Sequence, residues 1–248
     1  MKKTLLAILA LATFSTINAQ EALTKPEQTE FYEPVPPVVT PAATFAGAPS
    51  DAVVLFDGKN FNEWQSDKDG SAPKWTLNAD GSMTVKGRTG DIKTKRVFQD
   101  FQLHVEWRSP IEPDSLTGQR KGNSGIFLQE KYELQVLNSY QSKTYTNGQA
   151  GSIYKQTPPM ANACAKMGDW NYYDVLYTAP KFRKNGTMEK PPYVTVIHNG
   201  IYVQNHTAIQ GTTEYIGSPK IIAHGKGGIK LQDHGNQVSY RNIWIREL

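Results

Sequence analysis

Residues 122–138 read GNSGIFLQEKYELQVLN, and the two apolar runs inside this stretch decide the fold class. A Gly-Asn-Ser-Gly turn leads into Ile126, Phe127 and Leu128. After a short Glu130-Lys131 break, Tyr132, Leu134 and Val136 alternate with Glu133, Gln135 and Leu137. Side chains on a strand alternate between two faces, so this pattern describes adjacent strands with one apolar face. The other face carries a carboxylate and an amide, a composition unsuited to plain core.

The same texture runs outward in both directions. Upstream, FQLHVEWR (101–108) sets Leu103, Val105 and Trp107 against Gln102, His104, Glu106 and Arg108. KWTLNADGSMTVKG (74–87) alternates on both sides of Ala79-Asp80-Gly81-Ser82, a hairpin signature, and VVLFDGKNFNEW (53–64) is a strand followed by an Asp-Gly turn. Downstream, WNYYDVL (170–176) is a further strand, and YVTVIHNGIYVQ (193–204) flanks Asn199-Gly200, a strong hairpin signal. GIKLQDH (228–234) and VSYRNIWI (238–245) complete the series, while 109–121 and 139–167 lack periodicity. No amphipathic helix of three turns follows residue 50. The pattern predicts an all-β, single-domain jelly-roll β-sandwich over 51–248, with one curved, concave sheet.

The first fifty residues differ. Lys2 and Lys3 precede an apolar run from Leu5 to Phe14, and Asn18-Ala19 offers a cleavage point, so 1–19 reads as a signal peptide and the protein as exported, periplasmic or secreted. The run is too short to span a bilayer, and no cysteine follows it to take a lipid anchor. Residues 20–50 carry six prolines and read as an extended segment. Loss of Lys2 and Lys3 lowers the formal charge from +4 to +2, too little to point to nucleic acid or an anionic membrane. The single cysteine, Cys164, cannot form an internal disulfide, and no His or Lys pattern beside it suggests activation; a buried, inert thiol is expected.

The polar faces supply the candidate chemistry. If the strands share the concave sheet, Glu106, Arg108, Glu133, Gln135, Gln232 and His234 converge on one groove, with His198 near a hairpin tip. Such a mixture hydrogen-bonds sugar hydroxyls and can move protons. Nucleophile-elbow, zincin and glycine-rich phosphate motifs are missing, which argues against a nucleotide cofactor. Glu106 and Glu133 lie on different strands with no second acid two residues from either, so a two-carboxylate retaining glycosidase is unsupported.

FDGKNFNEW, FQLHVEWR, GNSGIFLQEKYELQVLNSY, GSIYKQTPPMANA, GDWNYYDVLYTAP, YVTVIHNG and LQDHGNQVSYRNIWI, in that order, resemble the 3-keto-disaccharide hydrolase-like family. The resemblance covers residues 52–248 and implies a concanavalin-like jelly roll acting on glycosides already oxidised at C3. It implies Glu133, His234 and His198 as the catalytic base and acid groups. Glu106, Arg108, Asn123, Gln135, Gln232 and Asp233 would bind substrate. It also implies a divalent metal ion, for which Glu133 and His234 are the candidate ligands; whichever binds it cannot also be the base. The loop around Cys164-Ala165-Lys166 departs from the family pattern. A lectin-like carbohydrate-binding module of the same fold is the alternative, since fold alone does not set function.

Overall fold

A computed structural model describes residue 40 and residues 42–248. The proposed signal peptide and most of the proline-rich segment lie outside the described residues. The strands are β1 (Val53–Phe56), β2 (Trp64–Ser66), β3 (Thr76–Leu77), β4 (Met83–Thr84), β5 (Ile92–Thr94), β6 (Phe101–Arg108), β7 (Ser124–Leu128) and β8 (Tyr132–Val136). They continue with β9 (Asn171–Thr178), β10 (Lys181–Phe182), β11 (Met188–Lys190), β12 (Tyr193–His198), β13 (Ile201–Ala208), β14 (Lys230–Leu231) and β15 (Ser239–Glu247).

Two antiparallel sheets form a jelly-roll sandwich. The larger runs β13-β12-β9-β6-β15-β4-β3, with β1 also on β15; the smaller runs β2-β5-β14-β7-β8. Strands β10 and β11 form a separate ribbon. The core lies between the two sheets. Leu103, Val105 and Trp107 from the large sheet meet Ile126, Leu134 and Leu231 from the small one, all fully buried. Burying each such side chain contributes roughly 2 kcal/mol, so this interface carries most of the favourable energy.

The alternating strands sit where the sequence places them, but β14 is only two residues long and belongs to a different sheet from β15. The chain crosses the end of the sandwich through Gly235, whose φ of 90° suits glycine. Cys164 is buried, and burial pushes its thiol up to about 11, which keeps it inert.

The large sheet's outer face carries a polar cluster rather than a groove. His104 Nδ1 lies 2.7 Å from Asp174 Oδ1, its Nε2 lies 3.7 Å from Glu106 Oε1, and its ring stacks on Trp244 at 5.4 Å. Glu106 accepts from Arg241 Nε (2.6 Å) and Asn242 Nδ2 (2.8 Å). The end of the proline-rich segment packs here: Ala46 O accepts from Asn242 Nδ2 and Trp244 Nε1, and Phe45 sets its edge on Tyr172.

This cluster makes stability depend on pH. Burial opposes a charged His104, but Asp174 and Glu106 outweigh it and raise the imidazole above its ordinary range. Its contribution is therefore complete below the unfolded value of about 6.5 and fades as pH rises through the folded value. Glu106 is also opposed by burial, yet His104, Asn242 and Arg241 hold it down at about 2. Its contribution is complete above about 4.5 and is lost as pH falls from there through about 2. We expect the difference in thermal midpoint between wild type and His104→Gln to be largest near pH 5–6 and to shrink above pH 6.5. A difference independent of pH would show that His104 is not charged in the folded state.

Candidate active site

The small sheet builds a pocket on its outer face, and the strand register shows how. Gln65 pairs with Lys93, Lys93 with Lys230, Lys230 with Phe127, and Phe127 with Glu133. Paired residues share a face, so these five side chains form one row across the sheet, pointing away from the core. The neighbouring row, Ile92-Leu231-Ile126-Leu134, points inward. Strand β8 nevertheless has every residue buried, because two loops cover its outer side.

One loop follows β8. Tyr154 N donates to Glu133 O at 3.1 Å, and the Tyr154 hydroxyl meets that of Tyr145 at 2.7 Å. The other lies between β13 and β14: Thr213 Oγ1 accepts from Glu133 N at 2.9 Å, and Thr213 N donates to Lys131 O. Lys155 joins the two loops, with its Nζ donating to Tyr215 O at 2.6 Å and lying 4.4 Å from the Tyr215 ring. The pocket between them has a volume of about 280 Å³ and is lined by Asn123, Phe127, Glu133, Gln135, Tyr154, Thr213, Tyr215, Gln232 and His234.

Glu133 forms the floor. It is only 4% exposed, and no described group donates a hydrogen bond to its carboxylate. Burial raises its pKa to about 8; the Lys230 charge opposes the rise and the Asp91 charge adds to it. Lys230 does not neutralise Glu133 outright, because it is shared with Asp91 (3.4 Å) and Asp67 (3.8 Å). Its ammonium lies 4.3 Å from the Phe127 ring centre. Gly125, opposite Gln135, leaves room for the Glu133 side chain: a Cβ there would stand 2.5 Å from Oε1 and 3.0 Å from Cγ and Cδ.

Amides surround this carboxyl. Gln135 Nε2 donates to Asn123 Oδ1 (3.2 Å) and Gln119 Oε1 (3.3 Å), while Asn123 Nδ2 donates to Gln119 O (2.8 Å). Gln135 Oε1 and Gln232 Oε1 are buried without a hydrogen-bond partner among the described residues. A buried acceptor left unpaired costs roughly 1–3 kcal/mol, a cost that a donor entering the pocket would relieve. His234 stands exposed at the rim, on the turn after β14.

The structure thus brings together Glu133, Gln135, Asn123, Gln232 and His234, and separates the other expected site residues from them. Glu106 and Arg108 belong to β6 in the large sheet, so the shared groove expected for them is not formed. Glu106 is held by Arg241 and Asn242; Arg108 lies 3.3 Å from Asp80 and 4.5 Å from the Trp170 ring. His198 is fully buried in the core, its Nε2 3.0 Å from Asn171 Oδ1 and its ring 4.7 Å from Tyr173. Burial lowers its pKa to about 3, so it stays neutral and away from the pocket. Asp233 is spent on backbone: Oδ2 accepts from Thr89 N and Gly90 N, and Oδ1 from Gly235 N.

The pocket residues absent from the sequence reading are Phe127, Tyr154, Thr213 and Tyr215. Phe127 reads as core in an apolar run, and Tyr154 sits in a loop without periodicity. Nothing local marks Thr213 or Tyr215. Among the described residues no group of three or more His, Cys, Asp and Glu gathers around a common point. A divalent ion here would instead use Glu133 or His234 with the unpaired oxygens of Gln135 and Gln232. Such oxygen donors suit a hard cation.

The model of the 3-keto-alpha-glucoside-1,2-lyase-like domain matches residues 51–246. The chain belongs to this family. Its matched span is the whole sandwich from just before β1 almost to the end of β15. A 3-keto-disaccharide hydrolase of Bacteroides thetaiotaomicron is 24% identical over 240 residues, covering 79% of this chain and 78% of that one. A crystal structure from Parabacteroides distasonis, provisionally described as a glycosyl hydrolase, is 55% identical with a TM-score of 0.85. It covers 90% of this chain and 97% of that one. A second Parabacteroides distasonis structure with the same provisional description is 22% identical, with a TM-score of 0.58 over 80% of this chain and 94% of its own, and shares the fold.

Proposed function

We propose that the protein cleaves 3-keto-glycosides, with Glu133 removing the proton at C2 of the oxidised sugar. The observation that carries this reading is the isolation of Glu133: a single buried carboxyl, with no described donor, opening on a small polar pocket. An ordinary retaining hydrolysis needs two carboxyls about 5 Å apart, whereas among the described residues Glu133 is the only carboxyl lining this pocket. Elimination beside a ketone needs one base, and a base with a pKa of about 8 suits weakly basic conditions.

The steps balance as follows. The C3 ketone acidifies C2–H; Glu133 takes that proton, and the electron pair forms an enolate on the C3 oxygen. Collapse of the enolate forms the C1=C2 bond and breaks the C1–O bond, the leaving oxygen receiving a proton from His234 at the rim. Water then adds its oxygen to C1 and a proton to C2, giving the free 3-keto sugar; release before hydration gives the unsaturated product instead. The oxygens of Gln135 and Gln232 would accept sugar hydroxyls, and Phe127, Tyr154 and Tyr215 offer faces for the ring. A divalent ion held by these amide oxygens would supply Lewis-acid stabilisation of the enolate oxygen, with Glu133 and His234 left to move protons.

We further propose that the protein works outside the cytoplasm, on the strength of the Lys2-Lys3 and Leu5–Phe14 leader pattern. Among the described residues no helix is long and apolar enough to cross a membrane.

The test uses purified protein with a 3-keto-glucoside and its unoxidised parent, with and without chelator. Turnover of the keto form alone, with deuterium from solvent appearing at C2, is expected. Equal release from both substrates would sink the elimination route; binding of both without turnover would make the pocket a lectin site.

A further inference from the structure

Beyond His234 the surface continues into a second, more open cleft of about 610 Å³, walled by Gly87, Arg88, Asp233, His234 and Gly235. His234 lines both cavities, so a ligand lying across it would reach from Glu133 to Arg88. We propose that this cleft is a leaving-group subsite for an anionic aglycone, read by Arg88; the proposal rests on the cleavage of 3-keto-glycosides argued above.

The cleft is built by joining two loops. The Asp233 carboxylate accepts from Thr89 N at 2.8 Å and Gly90 N at 2.9 Å, and from Gly235 N in its own turn at 3.0 Å. The backbones touch closely enough that a Cβ on Gly87 would stand 3.1 Å from Gly235 O. At the joint, Arg88 has a φ of 68°, in the left-handed region that non-glycine side chains avoid. Holding an arginine there strains the backbone, and a glycine would fit the turn without that strain. The chain keeps a guanidinium instead.

That guanidinium is exposed, and no described carboxylate forms an ion pair with it. Asp233, among the described residues the only carboxylate lining the cleft, already serves three amides. Past Gly87 and Gly235 the surface leads on to Lys86. On the other side Arg88 shares a smaller hollow with Lys68 and Lys74, where Asp69 is bonded to Ser71 and Asp91 is paired with Lys230. Around the rim Arg88, Lys86, Lys68 and Lys74 therefore outnumber Asp233 and Asp69, and Arg88 is the cation that lines the cleft shared with His234. In the proposed reaction His234 protonates the departing oxygen, so the group beyond it is the aglycone. A carboxylate, sulfate or phosphate on that group would meet a planar donor suited to two-point contact.

The experiment compares kcat/KM for two 3-keto-glucosides, one with a phenyl and one with a 4-carboxyphenyl aglycone, in wild type and Arg88→Gly. Glycine suits the left-handed backbone, so the variant should fold with an unchanged or higher thermal midpoint. The wild type should favour the carboxylated substrate by about tenfold, worth roughly 1.4 kcal/mol. The ratio should fall to about one in Arg88→Gly, and in the wild type at high salt. A wild type with no preference, or a variant that keeps the preference, overturns the subsite while leaving the reaction intact. Turnover of neither glucoside overturns the cleavage reaction, and the subsite falls with it.

Discussion

Glu133→Gln is expected to lower kcat/KM on a 3-keto-glucoside by about 10³-fold, the range for removal of a general base, while raising stability. Glutamine has nearly the same shape and keeps the pocket filled, so the loss reports proton removal rather than collapse. The stability gain follows from linkage. The unfolded carboxyl ionises near 4.5 and the folded one at about 8, so folding holds an extra proton between these values. Wild-type stability therefore declines as pH rises from about 4.5 to about 8, and the variant escapes that decline. Holding an ionised carboxyl whose folded value is about 8 costs at most about 5 kcal/mol. A buried glutamine amide takes its own desolvation cost, which leaves a net gain on the order of 1–3 kcal/mol at pH 8. The same ionisation should put a rising limb on wild-type kcat/KM as pH approaches about 8. Denaturant titrations at pH 5 and pH 8, with chelator present, check the stability arm. A variant that is inactive and equally destabilised at both pH values would make Glu133 structural.

Gly125→Ala should be nearly as damaging although it adds only a methyl group. Gly125 has no positive φ among the glycines that do, so alanine meets no backbone strain there. The new Cβ would instead stand 2.5 Å from Glu133 Oε1 and 3.0 Å from its Cδ, closer than such atoms approach. The carboxyl must move, and a displacement of about 1 Å at a reacting group can cost about 10²-fold. Overpacking of this kind costs about 1–3 kcal/mol when the surroundings are rigid and less when, as here, a side chain can swing into a cavity. We expect kcat to fall about 10²-fold, with KM changed little and the thermal midpoint within a few degrees of wild type. Wild-type kcat in Gly125→Ala would show that the position of the Glu133 carboxyl does not matter to the reaction.

How far the sequence can be read is clearest on three strands. On β8 the alternation of Tyr132, Leu134 and Val136 with Glu133 and Gln135 identifies both the strand and the two outward polar groups, and the structure keeps them together. On β6 the same reasoning correctly turns Glu106 and Arg108 away from the core, but that strand lies in the other sheet. On β12 a polar residue at a hairpin end, His198, falls on the inward face with Val194 and Val196. Its exposure was decided by its register against Tyr173.

The sequence by itself determined the all-β class, the long alternating strands, the hairpin at Asn199-Gly200 and the family, because alternation and turn chemistry act over a few residues, while short strands such as β5, β10 and β11 carry too few residues to show it. Only the tertiary structure decided which polar faces meet. A sandwich has two outward faces, and period-two patterning cannot tell one from the other. Membership of β7, β8 and β14 in one sheet depends on pairings between residues roughly a hundred positions apart, such as Lys230 with Phe127. The burial that raises Glu133 comes from Thr213 and Tyr154 closing over β8, contacts made by loops that carry no periodic signal.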